Sequence, residues 1–132
     1  MLGEMIGELK GKRIVRRTLS VEPVTMEVNF EDAGTMFGVK VMGQGTYTAV
    51  LQPTGTTIGE GQGVTMTEDG EVITWKGSGL GTVKQDGALS YRGILYYRTA
   101  SQKLARLNTT AAVFEYEVAA DGNTNAKLWE WK

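Results

Sequence analysis

The sequence contains no cysteine and no histidine. Without cysteine there is no disulfide, no thiolate metal site and no cysteine nucleophile. Without histidine a Ser-His-Asp triad is excluded, and zinc and copper lose their usual nitrogen ligand. No D-x-D-x-D-G calcium loop occurs either, so no metal and no cofactor is expected. An excess of either charge is also missing: 14 Lys and Arg stand against 15 Asp and Glu, a formal net charge of −1. That balance argues against nucleic acid as a partner. There is no apolar run of membrane-spanning length, and the opening MLGEMIGELKGKR carries Glu4 and Glu8. Neither a signal peptide nor a membrane partner is expected, which places the chain in the cytoplasm. At 132 residues a single domain over residues 1–132 is expected. A domain near this size buries about 70% of its unfolded surface without staples.

Glycine, by contrast, is abundant, at 18 residues. It costs about 1 kcal/mol relative to alanine inside a helix, so its abundance argues against a helical protein. Asp69-Gly70, Asp86-Gly87 and Asp121-Gly122 are hairpin dipeptides, and Pro53-Thr54-Gly55 is a further turn signal. Between them the pattern has period two, giving eight strands over residues 12–21, 24–31, 42–52, 57–67, 71–84, 88–99, 112–119 and 124–131. The alternation is cleanest where Val24, Met26, Val28 and Phe30 share one face and Thr25, Glu27, Asn29 and Glu31 the other. Residues 101–108 predict a short helix between strands six and seven, with Ser101 as cap and Asn108 as terminator. The expected fold is all-β, an eight-stranded antiparallel up-and-down barrel. Closure removes both sheet edges, and eight strands leave room for side chains or one small ligand.

Gly59, Gly61 and Gly63, and then Gly77, Gly79 and Gly81, recur at every second residue. A phosphate loop needs a strand-to-helix junction, whereas these glycines interrupt strand patterns and predict tight curvature. Register assigns their faces. A two-residue loop at Asp69-Gly70 pairs Met66 with Ile73 and Val64 with Trp75. A three-residue loop with a bulge instead sets Thr65 and Gly63 against Ile73 and Trp75. The two-residue loop matches apolar with apolar and is preferred. It directs Glu60 and Gln62 inward, opposite the glycines at 79 and 77. The same rule at Asp86-Gly87 pairs Trp75 with Arg98, Gly77 with Tyr96 and Gly81 with Arg92.

This reading makes Glu60, Gln62, Trp75, Arg92 and Tyr96 the candidate ligand-binding residues, with Glu60 and Arg92 as a buried ion pair. It leaves Leu80, Leu95, Tyr91 and Tyr97 on the outer wall, which predicts a homo-oligomer, a dimer first. It also puts Phe114, Tyr116, Trp129 and Trp131 on one face, opposite Glu115, Glu117 and Glu130. The basic run Lys10, Lys12, Arg13, Arg16, Arg17 reads as a solvated surface or an anion patch. Three functions fit: a barrel binding a small, partly apolar molecule; a cofactor-free isomerase, cyclase or lyase using a buried carboxylate; or a homo-oligomeric assembly protein.

The stretch GEGQGVTMTEDGEVITWKGSGLGTV (residues 59–83) with SYRGILYY (residues 90–97) resembles a small bacterial and archaeal family with the allene-oxide-cyclase-type barrel, lipocalin-like in outline. The resemblance covers most of the chain and is one of architecture. It implies an eight-stranded glycine-rich meander and carries no active-site signature.

Overall fold

The computed structural model describes residues 2–132. Eight strands run in chain order: β1 (Leu2–Val21), β2 (Val24–Met36), β3 (Val39–Leu51), β4 (Thr57–Thr67), β5 (Val72–Val83), β6 (Leu89–Thr99), β7 (Ala111–Val118) and β8 (Asn123–Trp131). Each pairs antiparallel with the next, and β1 pairs with β8, so the meander closes into a barrel. Among the described residues no helix is long and apolar enough to cross a membrane.

Two strands exceed their expected bounds most. β1 begins at Leu2 rather than residue 12, and β2 continues to Met36 rather than 31. The start of β1 lacks alternation because Gly3, Gly7 and Gly11 interrupt it. There the backbones of β1 and β2 come close: a Cβ on Gly7 would lie 1.9 Å from the Thr35 carbonyl oxygen. Only the absence of a side chain allows that approach.

The hairpins set the register. Three-residue loops occupy residues 68–70, 85–87 and 120–122, with Gly70, Gly87 and Gly122 at positive φ. In the first, the Gly70 amide donates to the Thr67 carbonyl and the Thr67 amide to that of Glu71. The same two bonds recur at Lys84 and Ala88 and at Ala119 and Asn123. This is a type I turn closed by a glycine bulge, one residue longer than the two-residue turn that Asp-Gly also favours. Thr65 therefore pairs with Ile73, Gly63 with Trp75, and Trp75 in turn with Tyr97.

One extra residue exchanges the faces of a strand. β5 keeps its expected inward glycines and Trp75, but β4 and β6 are reversed. The inward residues are Gly59, Gly61, Gly63 and Thr65 on β4, and Tyr91, Gly93, Leu95 and Tyr97 on β6. Tyr91 and Tyr97, expected outside, are 4% and 5% exposed, and of the expected outer set only Leu80 faces solvent. β8 is reversed in the same way: Trp129 and Trp131 face outward, while Leu128 and Glu130 point in beside Phe114 and Ala112.

The segment between β6 and β7 is a single 3-10 turn, Ala105–Thr109. Ser101 does not cap it; its hydroxyl donates to Glu71 on the neighbouring rim. Asn108 holds the turn to β6 through both the amide and the carbonyl of Thr99. Leu104 and Leu107, wholly buried, fill that end of the barrel against Ile6, Met36, Val41 and Ile73.

Candidate functional site

Seven aromatic side chains point into the barrel: Phe30, Tyr47, Trp75, Tyr91, Tyr97, Phe114 and Tyr116. Glycines opposite make the space for them. A Cβ on Gly63 would lie 2.5 Å from the Trp75 indole, and one on Gly45 would lie 2.6 Å from both Trp75 and Phe30. Trp75 thus lies across two glycines of β3 and β4 and stacks on Phe30, with ring centroids 6.1 Å apart. Phe30 meets Tyr116 at 5.6 Å, and Tyr47 meets Tyr91 edge-on at 5.7 Å. Offset and edge contacts of this kind add to simple burial.

The rings do not fill the interior. A cavity of about 90 Å³ remains, walled by these aromatics with Leu9, Met36, Leu95 and Leu128. Asp32 is the only ionisable group other than the tyrosines among its described lining residues. It stands two residues beyond Phe30 on the inner face of β2, flanked by Gly11 on β1 and Gly43 on β3. A Cβ at position 43 would lie 2.8 Å from Thr65 Oγ1 and 3.2 Å from Asp32 Oδ1, so the missing side chain is what accommodates both polar groups. Among the described residues Asp32 makes no side-chain hydrogen bond and no ion pair. Burial pushes its carboxyl up from 3.8 to about 6, because the charged form loses water and gains no counter-charge.

Burial likewise raises the phenols of Tyr47, Tyr97 and Tyr116 well above their ordinary range, and Asp32 raises the last two further. Tyr116 Oη is buried and makes no hydrogen bond, although Thr124 lies alongside. Tyr91 Oη accepts from Thr57 at 3.2 Å. Beyond this tyrosine layer, Arg13 and Arg16 act on Tyr47 from the mouth. Arg13 shares the face of Phe30, and Arg16 that of Val28.

The expected site residues do not come together. Trp75 lines the cavity, while Glu60, Gln62, Arg92 and Tyr96 face outward and are exposed. Glu60 pairs across the sheet with Ser78 and Thr48. Arg92 finds its carboxylates on β7 instead, Glu117 at 3.0 Å and Glu115 at 3.9 Å. The three-residue loops are the physical reason: the one at 68–70 turns the even residues of β4 to solvent, and the one at 85–87 does the same for β6. Asp32 was missed because β2 was expected to end at Glu31. The signal was present: continuing the Val28–Phe30 period by one step puts Asp32 on the inner face.

No family model matches the chain, and no curated protein matches it in sequence. Solved structures do match it in shape. A protein of unknown function from Clostridium acetobutylicum superposes with a TM-score of 0.84 at 13% identity, covering 98% of each chain. One from Rhodopseudomonas palustris gives 0.83 at 11%, covering 98% of this chain and 97% of its own. A β-barrel-like protein from Acinetobacter baumannii gives 0.83 at 14%, covering 100% and 96%. At such identities the likeness shows the fold.

Proposed function

We propose that this barrel, of the allene-oxide-cyclase type in architecture, holds one small, partly apolar molecule in its interior, with Asp32 fixing that molecule's polar group. One observation carries the reading: a cavity walled by aromatic rings contains a single carboxyl without a partner. Apolar walls with a few convergent polar groups are the usual make-up of a small-molecule site, and a packed interior has no use for an unpaired acid. Native mass spectrometry of freshly purified protein tests it. Wild type should carry a small adduct. Ala126→Leu, which extends a lining side chain into the cavity, should fold and lose the adduct. Wild type at its bare mass, with a Trp75 indole resonance unmoved by any small organic probe, would overturn the reading.

A second reading, general acid–base chemistry on the bound molecule, is favoured by the carboxyl lying at about 6. A proton-transfer group is most effective when its pKa is near the working pH. Under that reading Asp32→Asn keeps the adduct and loses turnover of it.

A further inference from the structure

We propose that the molecule held in the barrel is a small organic cation, an aliphatic ammonium of about four heavy atoms. The inference rests on the interior-binding reading above and adds the ligand's charge and size. The charge comes from what surrounds the carboxyl. Asp32 pairs across the sheet with Gly11 of β1 and Gly43 of β3 and shares the cavity lining with Tyr47, Thr65, Trp75, Tyr97 and Tyr116. Among the described lining residues none is lysine or arginine. The cavity lining therefore offers one negative site and a set of electron-rich ring faces, and no positive side chain among its described residues. Both features attract a cation, the carboxylate by charge and the rings by their quadrupoles. Tyr116 Oη, buried without a hydrogen bond, adds an acceptor for an ammonium N–H.

The size comes from the void. A cavity of about 150 Å³ takes benzene, so the 90 Å³ here corresponds to about four heavy atoms in proportion. Arg13 and Arg16 oppose a cation at the mouth, where they act on Tyr47, while burial drives the shift of Asp32. What is retained is decided at the inner site.

The charge requirement has a signature in pH. The cation binds the ionised carboxyl, so affinity holds steady above pH 6 and falls as the pH drops through the Asp32 value of about 6. Tyr47, Tyr97 and Tyr116, raised above their ordinary range, stay neutral throughout.

Isopropylammonium and its neutral counterpart 2-propanol, of equal size, separate the possibilities when titrated while following the Trp75 indole N–H by NMR. Isopropylammonium should bind at least tenfold more tightly than 2-propanol at pH 7.5, and about tenfold more weakly at pH 5 than at pH 7.5. Asp32→Asn should abolish its advantage over 2-propanol; the wild-type pH profile stands as evidence even if that variant fails to fold. Equal binding of both probes at both pH values overturns the cation and leaves the binding barrel standing. Acetate binding in preference to both overturns it in favour of the mouth arginines. Binding of none of the three overturns the interior site itself.

Discussion

The two ends of the barrel solve the same closure problem with different chemistry. At one end the turn after β6 drops Leu104 and Leu107 into the opening, both wholly buried with Ile6, Met36 and Ile73. Polar contacts fasten that plug at its margin. Arg106 pairs with Glu130 at 2.8 Å and Glu4 at 3.1 Å and lies 4.0 Å over the Phe37 ring. Lys103 bridges to Asp69 at 3.0 Å on the β4–β5 loop. At the other end the described connections between strands are short, residues 22–23, 52–56, 84–88 and 119–122. Tyrosines stand there instead, and the β1–β2 hairpin runs on past the last β8 pairing at Lys12. It carries exposed Ile14, Val15, Leu19 and Val21. The sealed end invests in apolar burial, which supplies stability. The open end keeps hydroxyl and guanidinium groups at an entrance. Apolar burial and polar side chains are thus separated along one axis, with Asp32 between them.

The largest test of that separation is at the plug. Leu107→Ala should cost about 3 kcal/mol in denaturant unfolding, through lost burial and the cavity left behind. The same truncation at Leu19, 49% exposed, should cost less than about 0.5 kcal/mol. Equal losses would mean that the β1–β2 hairpin packs against something in solution.

Next is Asp32. Its carboxyl is higher in the folded protein than in the unfolded chain, so its contribution to stability is complete below about pH 4 and is lost as the pH rises through 6. Asp32→Asn should therefore be the more stable protein at pH 7.5, by at most about 3 kcal/mol at 1.4 kcal/mol for each pKa unit. The difference should vanish toward pH 4 in thermal melts. Identical melting across that range would show the carboxyl to be fully solvated.

Smaller effects compare the glycine positions that shape the cavity. Gly63→Ala drives a methyl into the Trp75 indole and should cost about 1–3 kcal/mol. At Gly59→Ala the new Cβ lies 3.3 Å from the edge of Tyr91, a contact that a slight tilt of the ring relieves, so the loss should be within about 0.5 kcal/mol. The gentlest measurement needs no variant. Limited nitration should modify Tyr96, which is 59% exposed, and spare Tyr97, which is 5% exposed, until the protein unfolds. Modification of Tyr97 first would return β6 to the opposite face.

Much of the fold was legible in the residues themselves. Period-two alternation with Asp-Gly punctuation identified β3 to β8 to within a few residues, and the glycine strip with Trp75 on the inner face of β5. Those signals are local, since each depends on neighbours two residues apart on one strand or on the dihedral needs of a glycine in a turn. The candidate site was less legible, and the error was one residue in each of two loops, 68–70 and 85–87. Asp-Gly serves a two-residue turn and a three-residue bulged turn alike. The matching of large apolar residues favoured the wrong one, because it ignored that Trp75 needs glycines beneath it.

The sequence alone thus determined an antiparallel meander, its strand number, and the absence of thiol and imidazole chemistry, because composition and short-range periodicity suffice for these. Which faces turned inward was decided only in three dimensions. There Gly45 and Gly63 yield their volume to one indole, and Gly11 and Gly43 flank one carboxylic acid. Those contacts join residues distant along the chain, and their energy arises from shapes that meet only when β1 closes on β8.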